Sequence, residues 1–181
     1  MVSNMALNMD RIAAIVNAEL GSRAGRMVAS VRGLTLADAL ALAASAEACA
    51  RGMGLPVCIA VVDAEGGKIL FHRMQGSLPA STDLATAKAW TAAAYRMGSD
   101  ELGQQAQPGG MLFGVGQTGG SANGGQVVLF GGGIPCRVDG VVIGAIGISG
   151  GTVDEDMFIA RQALNAFSEA RGTVPEEGTG L

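Results

Sequence analysis

The pattern of apolar and polar residues centres the chain on one long apolar segment. Residues 141–148 are apolar on both faces of a strand, and residues 134–138 form a second apolar run before them. Asp139-Gly140 lies between the runs, and this dipeptide is typical of a type I′ hairpin turn, in which both central residues take positive φ. A strand without a polar face is covered on both sides. The pattern therefore predicts a central sheet with helices above and below it.

The rest of the pattern predicts a second hairpin and a series of helices. Residues 56–63 and 68–74 are rich in apolar and β-branched side chains, and a glycine-containing turn at 64–67 separates them. This spacing predicts two antiparallel strands. Apolar residues recur elsewhere at the spacing of amphipathic helices. We expect these helices at residues 9–20, from 35 to a stop at Gly52, at 81–96, at 99–105 and from 152 to about 167.

Threonine residues are expected to begin two of these helices. Thr35 is followed three residues later by Asp38, which is the capping-box pattern, and Thr152 precedes the last helix. The helix after Thr35 is predicted to bury one face, formed by Leu36, Ala39, Leu40, Ala43, Ala46 and Ala50. The helix after Thr152 is predicted to bury Met157, Ala160, Ala163, Leu164 and Phe167.

The chain is expected to contain one main domain, at residues 26–172. Residues 1–25 are predicted to form an amphipathic helix and a linker, and 173–181 a disordered tail. The N-terminal helix either packs on the body or a neighbouring subunit, or docks the protein to a protein shell. Residues 108–125 contain eight glycines, which favours either a mobile loop or a lid whose apolar residues cover a ligand.

Composition narrows the class of protein. Of the 181 residues, 49% are hydrophobic and only 15% are charged, which favours a homo-oligomer that hides part of its surface. The net charge of -4 makes nucleic acid and anionic membranes unsuitable partners. Three cysteines in apolar segments indicate buried thiols in a reducing cytoplasm. Neither a secretion signal nor a membrane-spanning segment is expected.

Five motifs occur in a fixed order along the chain: VVDAEGG at 61–67, FHRMQG at 71–76, AKAWT at 87–91, FGGGIP at 130–135 and VIGAIGISG at 142–150. Together they resemble the GlcG/HbpS family, and the variant they are most similar to is the C-terminal domain of PduO-type proteins. The resemblance implies a profilin-like α/β (α+β) fold, with a central antiparallel sheet in three α/β/α layers. It also implies haem binding, a link to haem degradation or cobalamin metabolism, and an association with bacterial microcompartments.

Lys88 needs a partner. It is the only charged residue between Asp83 and Arg96 of a helix that is otherwise mostly alanine and apolar, and an isolated buried ammonium group is costly. Its partner is expected to be a carboxylate, for which Asp63 is a candidate, or the carboxylate of a ligand such as a haem propionate. Solvent contact by snorkelling and a role as a reactive lysine are the other interpretations.

His72 is the only histidine and the main candidate ligand for haem iron. Its strand places it on one face with Leu70 and Met74, while Arg73 points the other way. Tyr95 and the cysteine thiolates are the other candidates, and a purely structural histidine is the alternative. No Ser/His/Asp triad, metal-binding cluster or nucleotide-binding glycine motif is recognised.

A ligand pocket is predicted between the helix at 81–96 and the connection at 131–135, where three glycines allow close approach of the backbone. The residues expected to contact the ligand are Lys88, Arg73, Thr91, Tyr95, Gly132, Gly133, Ile134 and Ser149. An alternative function is an enzyme on a small carbonyl or carboxylate metabolite, with Lys88 and Arg73 holding the anion. A third is an accessory protein of a microcompartment.

Overall fold

The computed structural model describes residues 33–117 and 126–172 of the chain. The predicted helix at 9–20, the rest of segment 1–25 and the tail at 173–181 lie outside them. The described elements, in chain order, are α1 (Leu36–Gly52), β1 (Cys58–Asp63), β2 (Lys68–Arg73), α2 (Ser81–Tyr95), α3 (Ser99–Gln105), a 3₁₀ turn (Val115–Gln117), β3 (Gly133–Val138), β4 (Val141–Ser149) and α4 (Val153–Arg171).

The four strands form one antiparallel sheet in the order β2-β1-β4-β3. Each edge strand is joined by a tight turn to the central strand beside it. Asp139 and Gly140 have φ angles of 49° and 76°, which confirms the predicted turn between β3 and β4. Helix α2 covers one face of the sheet, and α1 and α4 pack together on the other. The predicted three-layer α/β/α arrangement is therefore confirmed.

Strand β4 is buried on both faces, as its uniformly apolar sequence predicts. Ile146 and Ile148 pack toward α1 and α4, whereas Ala145 packs toward α2. Ile143 joins the first group, although strict alternation along a strand would place it on the same side as Ala145. The reason is a bulge, because the pairing with β3 passes over Ile143 and shifts the register.

Side-chain caps begin the two helices of the α1/α4 layer. The hydroxyl of Thr35 accepts from the amide of Asp38, and Thr152 makes the same contact with Glu155; each acidic side chain accepts from its threonine's amide in return. These are complete capping boxes. The predicted buried stripe of α4 is also found, with Leu164 only partly buried.

The predicted buried face of α1 is partly wrong. Leu36 and Leu40 are 57% and 46% exposed, and Leu42 is buried in their place. The helix instead turns its alanines inward, so that its backbone approaches the sheet and α4 more closely than leucines would allow. Its outward face remains apolar and is formed by Leu36, Ala37, Leu40, Ala41, Ala44 and Ala48.

The described part of the glycine-rich region, residues 108–117, is a series of hydrogen-bonded turns. Met111 and Phe113 project from these turns into solvent. The predicted lid therefore stays a prediction. None of the described helices is both long enough and apolar enough to cross a membrane.

Candidate functional site

Lys88 lies in the middle of α2 with only 1% of its side chain exposed. Its Nζ donates to Oδ2 of Asp156 at 2.7 Å and to the carbonyl oxygen of Ile148 at 3.0 Å. Because Asp156 belongs to the first turns of α4, the ion pair passes the end of the sheet and joins the two helix layers. The ammonium group thus has protein partners within the fold.

The environment of Asp156 is dominated by burial. Burial raises the pKa of Asp156, and the hydrogen bonds from Lys88 and from the amide of Gly151 oppose that rise. A carboxylate in this position depends on its partners to remain charged. The buried stripe predicted for this helix begins at Met157 and does not include Asp156.

Asp63 is not the partner of Lys88, so that part of the prediction is wrong. The Oδ1 atom of Asp63 accepts from the amides of Glu65 and Gly67, at 3.0 and 2.7 Å. This carboxylate therefore caps the turn between β1 and β2. A side chain of this kind satisfies local amides before it can reach across the sheet.

The three glycines at 131–133 are buried against protein atoms. A Cβ atom on Gly132 would lie 2.5 Å from the oxygen of Ile148 and 2.6 Å from Nζ of Lys88. A Cβ atom on Gly133 would collide with the backbone of Lys88. The close backbone approach that the glycines were expected to offer a ligand is thus used by helix α2.

Phe130 and Thr91 are the other two residues near the contact between Lys88 and the glycines. The ring centroid of Phe130 lies 5.0 Å from Nζ of Lys88, in a cation–π contact, and its outer part is exposed. Thr91 is fully buried; its hydroxyl accepts from the amide of Val128 at 3.0 Å and donates to the oxygen of Gln126 at 3.3 Å. Thr91 therefore anchors residues 126–128, which precede the glycines in the chain.

The other predicted contact residues are not among the hydrogen-bond partners of Lys88 in the described part of the chain. Tyr95 is half-buried at the end of α2 and meets Trp90 edge to face at 6.4 Å. Arg73 is exposed on the edge strand β2, which β1 separates from β4. Ser149 is buried at the end of β4, and Ile134 is half-buried in β3. The structure thus brings together Lys88, Gly132 and Gly133, but not Arg73 or Tyr95.

His72 has a partner that the sequence analysis missed. Its Nδ1 lies 2.7 Å from Oε1 of Glu47 in α1, and the two side chains are 33% and 21% exposed. Oε2 of Glu47 accepts from Arg51, one turn further along α1. A signal was available, since Glu47 is an isolated acidic residue in the middle of a helix built mainly of alanine and leucine.

The contacts of Glu47 favour its charged form. The hydrogen bonds from Arg51 and His72 lower the pKa of Glu47, although partial burial opposes them. Within the described part of the chain, Nε2 of His72 has no hydrogen-bond partner. His72 faces the α1 layer and Lys88 belongs to α2 on the opposite face, so one chain does not bring them into a common pocket.

The cysteines are poor rivals to His72 as metal ligands. Burial raises the pKa of Cys136 to about 12 and also raises the pKa of the half-buried Cys49. Cys58 is fully buried beside Ser77. The described residues contain no group of three or more histidine, cysteine, aspartate or glutamate side chains that could hold a metal ion.

Comparison with known proteins gives consistent matches. The family model described as haem degrading protein HbpS-like matches residues 34–165. An uncharacterised 15.0 kDa protein from the dhaT-dhaS intergenic region of Citrobacter freundii is 42% identical over 136 residues, which are 75% of this chain and 93% of that protein. The corrinoid adenosyltransferase PduO of Salmonella typhimurium is 42% identical over 119 residues, which are 66% of this chain but only 34% of PduO.

A solved structure with the same fold contains haem. The structure of the PduOC:heme complex has a TM-score of 0.68 and 39% sequence identity. The match covers 75% of this chain and 95% of that one.

Proposed function

This chain belongs to the HbpS-like family, and from that premise we propose that it binds haem or a related tetrapyrrole through His72. The observation that carries the proposal is the imidazole held at Nδ1 by Glu47, with Nε2 left for another partner. Histidines that ligate metals commonly have their second ring nitrogen hydrogen-bonded to a carboxylate. Imidazole is a common ligand of haem iron, so His72 would hold the iron, which would supply redox and ligand-binding chemistry when bound. The haem complex of the 39% identical PduOC supports the same ligand class.

The proposal does not depend on Lys88. Its ammonium group already has Asp156 as a partner, so the carboxylate of a ligand would have to displace that residue. The predicted ligand contact of Lys88 therefore stays a prediction. No described contact favours the alternative of an enzyme in which Lys88 and Arg73 hold a small carbonyl or carboxylate metabolite.

A hemin titration followed by absorption tests the haem site. We expect the unmodified protein to give a sharp Soret shift that saturates at about one equivalent, since one histidine is present. His72→Gly should lose that spectrum, and added imidazole should restore it. Tyr95→Phe is the matched control, because it removes the hydroxyl of the alternative candidate ligand Tyr95 and keeps the ring; its spectrum should be unchanged. An unaltered Soret band in His72→Gly would overturn the role of His72, and nonspecific binding by the unmodified protein would overturn haem binding.

We also propose that the chain assembles with copies of itself. The outward face of α1 carries no charged residue between Leu36 and Ala46 apart from the capping Asp38. An exposed apolar patch of this kind commonly marks an interaction surface. Low overall charge supports the same conclusion.

Light scattering tests this assembly. We expect at least a dimer at micromolar concentration, and Leu40→Lys should shift the population toward smaller species by placing a charge on the α1 surface. Leu78→Lys is the control, because Leu78 is equally apolar and is exposed outside α1. A monomeric unmodified protein, or equal effects of the two substitutions, would contradict the proposal.

A role in haem handling or cobalamin-linked metabolism is a further proposal, supported by the 42% identity to a corrinoid adenosyltransferase. We also propose a cytoplasmic location, which includes the interior of a bacterial microcompartment. Segment 1–25 would then dock the protein to the shell of that compartment. Deleting residues 1–25 should leave the fold and hemin affinity intact if the segment only docks. A deletion variant that unfolds would show that the segment is structural.

A further inference from the structure

We infer that Glu47 is a positioning residue that sets the electron-donating strength of His72, and that Arg51 moderates this effect. The inference rests on the proposed haem site. Two hydrogen bonds connect the three side chains: the imidazole contacts Oε1 of Glu47, and the guanidinium contacts Oε2 of the same carboxylate. Each of the two contacts should therefore change the electron-donating strength of the imidazole in a direction that can be predicted.

Glu47 first fixes the tautomer of the neutral imidazole. A carboxylate that is 2.7 Å from Nδ1 accepts the ring proton at that nitrogen, so the lone pair lies on Nε2. The negative charge also makes the ring a stronger donor through Nε2. A stronger donor favours the ferric over the ferrous state of a bound iron and lowers its reduction potential.

Arg51 acts in the opposite sense. It donates to Oε2 of Glu47 from the next turn of α1, while His72 occupies Oε1. A cation on one oxygen draws electron density from the carboxylate, so the other oxygen becomes a weaker acceptor for the imidazole. Because most of the Arg51 side chain is in solvent, we expect its influence to be smaller than that of Glu47.

A residue with only a structural role would not give this pattern of signs. Loss of an ordinary surface ion pair changes stability slightly whichever partner is removed. Here, removal of the two partners should move the iron potential in opposite directions. The reduction potential of the hemin-loaded protein therefore distinguishes an electronic role from a structural one.

The experiment measures this potential in the unmodified protein, Glu47→Gln and Arg51→Met. Glu47→Gln keeps an acceptor for Nδ1 and removes the charge. We expect the ferrous-to-ferric ratio at a fixed potential to rise about tenfold, which corresponds to an increase in reduction potential of about 59 mV for one electron. Arg51→Met should lower the potential by less. Arg161→Met removes an exposed arginine from α4 instead, and it should have the smallest effect.

Affinity for ferric hemin gives a second readout. Loss of the residue that hydrogen-bonds to a metal-ligating histidine commonly weakens metal binding by about 10–100-fold. Glu47→Gln should therefore bind ferric hemin more weakly than Arg51→Met does. If His72→Gly keeps the unmodified Soret spectrum, both the proposed site and this inference fail. If His72 is the ligand but Glu47→Gln and Arg51→Met leave the potential unchanged or move it the same way, only this inference fails.

Discussion

Two pairs of a carboxylate and a basic side chain have the same 2.7 Å separation but different surroundings. Lys88 and Asp156 are almost completely buried, whereas His72 and Glu47 each keep a part of their surface in solvent. The first pair joins two helix layers; the second holds an imidazole at the surface of one layer. Distance alone therefore does not reveal the role of an ion pair, and burial must be considered with it.

The two carboxylates respond in opposite directions. Burial raises the pKa of Asp156 in spite of its hydrogen bonds, whereas the hydrogen bond from Arg51 leads the contacts that lower the pKa of Glu47. Desolvation outweighs the partner contacts in the interior, and the partner contacts prevail near solvent. Mutations should therefore affect stability in the interior and ligand chemistry at the surface.

The largest effect is expected from Lys88→Met. Removing one member of a buried pair leaves the other uncompensated, which typically costs about 3–5 kcal/mol of unfolding free energy. Urea denaturation measures the loss. The double variant Lys88→Met/Asp156→Leu should recover most of it, since apolar replacements of both partners are often tolerated. If Lys88→Met alone were as stable as the unmodified protein, the pair could not be the connection between layers that we describe.

Gly132→Ala should have the next largest effect. Gly132 has a φ of 119°, and an added Cβ would meet Ile148 and Lys88. The backbone conformation alone should cost about 1–3 kcal/mol, and the steric contacts add to that. Gly109→Ala is a matched control, because Gly109 also has a positive φ, of 87°, but open space around its Cα. Equal falls in melting temperature for both variants would show that Ile148 and Lys88 can move to accommodate the added Cβ atom.

The smallest effect is expected from Glu47→Gln, which should change stability by no more than about 1 kcal/mol at neutral pH. The pKa of Glu47 lies below its ordinary value of 4.5. Its contribution is therefore complete above that value and is lost as the pH falls through the lowered pKa. Melting temperatures across the acidic range should show a steeper decline for the unmodified protein than for Glu47→Gln. Parallel curves would contradict a stabilising charge at this position.

Local features of the fold could be predicted from the sequence. Thr35, Thr152 and the Asp139-Gly140 turn act on neighbouring backbone groups, so their residue types are sufficient signals. The uniformly apolar sequence of β4 also predicted that this strand is buried on both faces. In contrast, Leu36 and Leu40 were placed wrongly because α1 is apolar on both faces and its sequence does not define which one is inside.

The candidate site was harder to predict because it depends on contacts between distant elements. Asp156 lies four residues before Ala160, which belongs to the buried stripe of α4. Helical periodicity therefore indicates that its carboxylate is buried and requires a cationic partner. The stripe predicted from the sequence began one residue later, at Met157, and left this carboxylate out. For His72, the missing information was which helix would cover the strand and bring Glu47 beside the ring.

The strand order has a consequence for the kinetics of folding. The β1–β2 and β3–β4 hairpins are local, but the central pairing of Cys58 with Ser149 joins residues about 90 positions apart. A two-stranded hairpin is marginal in water, and closing so long a loop costs entropy before the new contacts form. We therefore expect β1–β4 association to limit the folding rate, and substitutions in the hairpin turns to act mainly on unfolding unless the turns are already formed in the transition state.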